Sequence, residues 1–172
     1  MSVDTTQQHE QLIQAMMTPE GWPTGGSDRH RIDTHISTVV LAGDKAYKLK
    51  KPLDLGFLDF LSLASREQAC HAELRLNRRL APQLYEAVCR VTGTLEHPEI
   101  DGTGALLDWA VRMRRFDPDA VLSNHPEALG PALIDELAER VGSFHSQVDC
   151  APPDPQLTGP QAACGPMFDN FD

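Results

Sequence analysis

The segment Lys45-Ala46-Tyr47-Lys48-Leu49-Lys50 reads as a strand entered through the tight turn Gly43-Asp44. Side chains alternate across a strand, so Ala46, Lys48 and Lys50 share one face, with Tyr47 and Leu49 on the other. Comparable runs bounded by turn residues predict strands over 31–35, 38–42, 87–92 and 106–114. The last two are separated by a polar stretch holding Gly93, Pro98, Gly102 and Gly104. Helical spacing appears three times. Over 6–17 it gathers Leu12, Ile13, Met16 and Met17. From about 65 to 80 it gathers Ala69, Ala72, Leu76 and Leu80. From Pro131 to about 148 it aligns Leu133, Ile134, Leu137, Val141, Phe144 and Val148. The connection 53–63 carries Leu55, Phe57, Leu58, Phe60 and Leu61, which are expected in the core.

These elements make an α+β chain with an antiparallel sheet of about five strands and one helix, followed by helical structure. Residues 1–28 are expected as a helical lead-in, 29–116 as the sheet-bearing domain and 117–172 as the start of a helical part. A proline-rich stretch follows Cys150. With 172 residues, 41% hydrophobic, the chain can bury one ordinary core.

Glu73 falls within the apolar stripe of the second helix. A carboxylate there is unfavourable unless a cation or several donors meet it. A strand lysine is the natural partner. Lys48 stands first because the small Ala46 precedes it by two positions, and Lys50 lies on the same face. A structural ion pair is the alternative to a ligand site.

Charge narrows the partners. A net charge of −10 disfavours nucleic acid and anionic membrane surfaces, but leaves room for an anionic substrate in a locally basic cleft. No run approaches the length of a membrane span, and no signal core opens the chain, so a cytoplasmic location is expected. The cysteines at 70, 89, 150 and 164 have no Cys-x-x-Cys pairing and are expected as reduced thiols, with Cys70 a packing residue. His30, His35, His71 and the cysteines match no zinc spacing. Arg75, Arg78 and Arg79 are expected to meet water and the helix dipole rather than a substrate.

Several motifs together carry a resemblance. They are Thr34-His35-Ile36-Ser37, Ala46-Tyr47-Lys48-Leu49-Lys50-Lys51-Pro52, Gly56-Phe57-Leu58-Asp59-Phe60, Glu73-Leu74-Arg75-Leu76-Asn77 with its continuation to Pro82, and Val111-Arg112-Met113-Arg114-Arg115-Phe116. The chain resembles the N-terminal part of bacterial aminoglycoside phosphotransferase-like proteins. More narrowly, it is similar to the group in which a kinase-like domain precedes a P-loop ATPase domain. The resemblance implies a protein-kinase-like N-lobe, the first helical part of a C-lobe, and ATP with Mg2+ as cofactors. A small hydroxylated molecule is implied as phosphoryl acceptor of the complete protein.

By that resemblance Lys48 positions nucleotide phosphates and Glu73 orients Lys48. Ala46 leaves space beside the lysine, and Val111 and Met113 lie where a hinge would hold adenine. Ser37 belongs to a turn placed to cover phosphates, although that turn has no glycine and is equally readable as an ordinary connection. The strand end at Met113 is also readable as an edge strand at a domain junction. No His-Gly-Asp or His-Arg-Asp motif and no P-loop occur in the sequence. Asp169-Asn170-Phe171 resembles the family's stretch ahead of the catalytic loop. A truncated kinase, inactive alone, is therefore expected, with self-association through an uncovered apolar face. A non-catalytic module that binds nucleotide or a partner is the alternative.

Overall fold

The computed structural model describes residues 5–23 and 28–149. Cys150, Cys164, the proline-rich stretch and Asp169-Asn170-Phe171 lie outside them. The chain divides into two units, Met1–Val121 and Leu122–Asp172.

In the first unit, six strands form one antiparallel sheet in the order β1-β2-β3-β6-β4-β5. They are β1 (Arg29–Asp33), β2 (Ser37–Ala42), β3 (Lys45–Lys50), β4 (Tyr85–Gly93), β5 (Pro98–Ile100) and β6 (Leu106–Arg114). The α+β class and antiparallel sheet agree with the sequence pattern. The additional strand is β5, three residues within the stretch that reads as polar connection. It pairs Ile100 with Val91 and Pro98 with Gly93. The β2–β3 turn needs a left-handed residue, which Gly43 supplies at φ 59.

Helix α1 (Thr5–Met16) lies against one face of the sheet. Its Leu12, Ile13 and Met16 join Trp22, Val40 and Leu49 in the core, all 2% exposed or less. Burying each such side chain contributes about 1.5–3 kcal/mol. The helical lead-in thus shares its core with the sheet through Leu12, Ile13, Met16 and Trp22. Trp22 meets Tyr47 edge-on at 5.0 Å. Arg29 donates to the Met16 carbonyl at 2.8 Å, placing a cation at the C-terminal end of α1.

Helix α2 (Leu63–Asn77) packs on β6 and β4. Ser62 caps it by accepting from the Ser65 N–H at 3.0 Å. Its sheet-facing side is Arg66, Cys70 and Glu73, spaced at four and three residues, rather than the expected stripe of small and apolar residues. Leu76 and Leu80 are 47% and 43% exposed. Ion pairs to the sheet fix the rotation of the helix, and Leu80 lies past its end. The connection 53–63 also departs from expectation. Phe60 is buried, whereas Phe57 stands 86% exposed at a turn closed by the Leu55 N–H to Leu58 carbonyl bond.

The second unit contains short 3-10 turns at Leu122–Asn124 and Pro126–Ala128, then α3 (Pro131–Gln147). Ile134, Leu137 and Val141 on α3 are 39–53% exposed. No helix among the described residues is long and apolar enough to cross a membrane.

Candidate functional site

The strand periodicity of β3 puts Lys48 and Lys50 on the face covered by α2, and Glu73 descends from the helix between them. Lys48 Nζ donates to Glu73 Oε1 at 2.8 Å, and Lys50 Nζ donates to Oε2. Both lysines therefore meet the carboxylate, one oxygen each, rather than one lysine alone. Their environments differ. The Lys50 side chain is 6% exposed and lies 5.6 Å from the Phe60 ring centre, whereas Lys48 is 26% exposed. Burial opposes ionisation of Glu73, but hydrogen bonds and charge from the two lysines outweigh it and hold the carboxyl below the ordinary glutamate value. The triad carries two positive charges and one negative.

Residues around the triad follow from strand register. Ala46 opposes Met113, and Lys48 opposes Val111, so all four share the α2 face. Tyr85 opposes Met113 from the other side. Its phenol is pushed above the usual tyrosine value by burial and by the nearby Glu73 charge, partly offset by Lys48. Tyr85 was not singled out by the sequence pattern, because its place beside the triad depends on pairing between distant strands.

Val111 and Met113 lie on β6, between β3 and β4. The strand is central, not an edge, and the backbone groups of these two residues are taken up by the ladder. Val111 is fully buried. The side chains thus reach the site face while the main chain does not. Beyond them the Arg115 N–H is also engaged, donating to the Asp44 carbonyl at 2.8 Å.

The turn before β2 is closed on itself. The Thr34 N–H donates to the Ser37 carbonyl at 2.9 Å, and the Ser37 N–H donates to Thr34 Oγ1 at 3.0 Å. Ser37 opposes Lys50, and its hydroxyl is buried with no hydrogen-bond partner among the described residues. A buried polar atom left unpaired is costly.

The arginine group at the end of α2 is structural in part. Arg78 donates to the carbonyls of Tyr85, at 2.8 Å, and Glu86, tying the helix end to β4. Cys70 and Cys89 are buried free thiols, and burial pushes Cys70 up to about 12 and Cys89 up to about 11. Neither is poised as a nucleophile. Among the described residues no three His, Cys, Asp or Glu side chains are grouped to hold a metal ion.

Similar sequences occur in mycobacteria. The chain is 36% identical over 117 residues, 67% of its length, to uncharacterized proteins of Mycobacterium bovis and of two strains of Mycobacterium tuberculosis. It spans about a fifth of the length of these curated relatives, the matched region being 22% of each. No family model matches the chain, and no solved structure does.

Chemically, the triad can bind an anion. Glu73 cancels one lysine charge and spaces the two ammonium groups, leaving a surplus of one positive charge in a partly desolvated site. There an incoming phosphate is attracted more strongly than in water.

Proposed function

We propose that the sheet, α2 and the Lys48–Glu73–Lys50 triad form the nucleotide-binding part of an aminoglycoside phosphotransferase-like kinase, the sheet serving as a kinase-like N-lobe. The observation that carries this reading is the carboxylate shared between two strand lysines. A single pair would be neutral, whereas this arrangement leaves charge for a phosphate. The orphaned Ser37 hydroxyl beside Lys50 supports the same reading. The residues fit the phosphates of ATP. They do not fit a magnesium cage, since among the described residues no acidic group accompanies the triad besides Glu73, which the lysines already occupy.

In this reading Lys48 and Lys50 hold the phosphates, and Glu73 fixes both ammonium groups before the ligand arrives. Ala46, Met113 and Val111 form the apolar ground beside them. Adenine is held by side chains of β6 or by chain past Arg115, not by the main chain of Val111 or Met113. Such a site works by positioning and electrostatics. The sequence carries no catalytic aspartate motif, so transfer to a small hydroxylated acceptor belongs to the complete protein and the present residues bind.

Calorimetric titration of ATP, with and without Mg2+, into the chain and its Lys48→Ala and Lys50→Ala variants tests this. Saturable binding is expected in the parent, with each variant weakened at least about tenfold, about 1.4 kcal/mol, because each removes the surplus charge. Circular dichroism melting controls for folding. Absence of binding by the parent chain, or equal binding by folded variants, overturns the reading.

A further inference from the structure

A cavity of about 370 Å³ opens where the first half of α1 meets the loop before α2 and the start of β6. That volume is in the range of small-molecule pockets. Its lining combines leucines, among them Leu12, Leu63 and Leu106, with three buried ionisable residues: His9, Arg66 and Asp108. Charged residues almost never become fully buried unless paired. Arg66 Nε pairs with Asp108 Oδ1 at 2.8 Å, and the Trp109 N–H donates to the same oxygen at 2.8 Å.

The other carboxylate oxygen has a different neighbour. Asp108 Oδ2 faces His9 Nδ1 at 3.8 Å, beyond hydrogen-bond reach, and Nδ1 is buried without a partner among the described residues. The tautomer follows from the far side of the ring. Thr38 Oγ1 donates its proton to Asp33 Oδ1 at 2.9 Å, so it accepts from His9 Nε2 at 3.3 Å. In the neutral ring Nδ1 then presents a lone pair to a carboxylate oxygen. The two acceptors face each other at the edge of a cavity that Thr5 and Gln8 line together with the leucines.

We propose that this cavity is a second binding site, for a small, neutral, largely apolar molecule with one hydrogen-bond-donating head, of the phenol or indole class. The donor meets Asp108 Oδ2 and His9 Nδ1, while the ring lies among the leucines. Charge selects the class. Arg66 already balances Asp108, so a cation would add an uncompensated buried charge and an anion would meet the carboxylate.

The test titrates phenol, indole and toluene into the nucleotide-free full chain, followed by backbone and histidine-ring 15N shifts. Phenol and indole are expected to saturate, moving signals of α1 and of residues 61–66 and 106–108. Toluene, which fills the same space without a donor, is expected to bind at least tenfold more weakly. Leu106→Trp, which fills the cavity, is expected to abolish the shifts. Equal binding of toluene and phenol, no saturable shift for any probe, or an imidazolium signature for His9 in the free chain would each overturn the proposal. Since no nucleotide is present, the outcome is independent of whether ATP binds the triad.

Discussion

Glu73 is the residue on which both the packing of α2 and the charge of the candidate site depend. Its side chain is 10% exposed, and each carboxylate oxygen takes one ammonium group. Glu73→Gln keeps the shape but leaves two unneutralised lysines side by side. Removing one partner of a buried pair is expensive, and the partial exposure of Lys48 moderates it, so destabilisation of about 2–4 kcal/mol is expected. Urea denaturation measures it directly; a loss below about 0.5 kcal/mol would mean that solvent screens the triad, as for exposed pairs. The pairing of Glu73 with a strand lysine was legible in the sequence, because alternation on one strand and a carboxylate in a helix stripe are both local patterns. The sharing of Glu73 between both lysines was not, since it depends on how far the helix sits along the strand. Nor was the arrival of Tyr85, which needs the β4–β6 register.

At the scale of elements, α2 is held more by polar bonds than by an apolar stripe. Arg66 donates to Asp108 and to the carbonyls of Phe60, at 2.9 Å, and Leu61, at 3.0 Å, thereby fixing the loop before the helix as well as the helix itself. Arg66→Ala would leave the Asp108 carboxylate buried without its cation, and a loss of about 3–5 kcal/mol is expected from chemical denaturation. A smaller change is expected at the helix start. Ser62→Ala removes the acceptor for the Ser65 N–H and costs about 1 kcal/mol. If the two variants lost equal stability, the Arg66 network would be contributing no more than an ordinary cap. This polar attachment explains why the apolar stripe read from Leu76 and Leu80 points to solvent. Period alone identifies a helix, but buried charges decided which side faces the sheet. Likewise β6 reads as a strand from its own residues, while its central place becomes visible only through pairing with β3 and β4. Strand β5 is too short to stand out against its flanking turns.

Across the first unit, acidic groups hold elements together, and this sets a pH dependence. Arg31 donates to both Glu10 oxygens, at 2.6 and 2.8 Å, and to Asp33 at 2.6 Å, joining α1 to β1. The Arg31 hydrogen bond, helped by Gln14, lowers Glu10 from an ordinary 4.5 to about 2. Asp33 is held well below the carboxylate range, mainly by Arg31. Glu73 is lowered by its two lysines against the opposing effect of burial. In every case the folded chain releases the proton more readily than the unfolded chain. The contribution is therefore complete above the unfolded values and is lost as pH falls through the folded ones. Urea unfolding should show stability declining from about pH 4.5 towards about pH 2. Glu10→Gln should flatten part of that decline across the whole of this range. The Glu10 side chain is 47% exposed, so added salt should weaken its share, whereas the more buried Glu73 should keep most of its own. An acid limb unchanged by Glu10→Gln would assign the α1–β1 attachment to Leu12, Ile13 and Met16 alone, with the arginine clamp no more than a solvated contact.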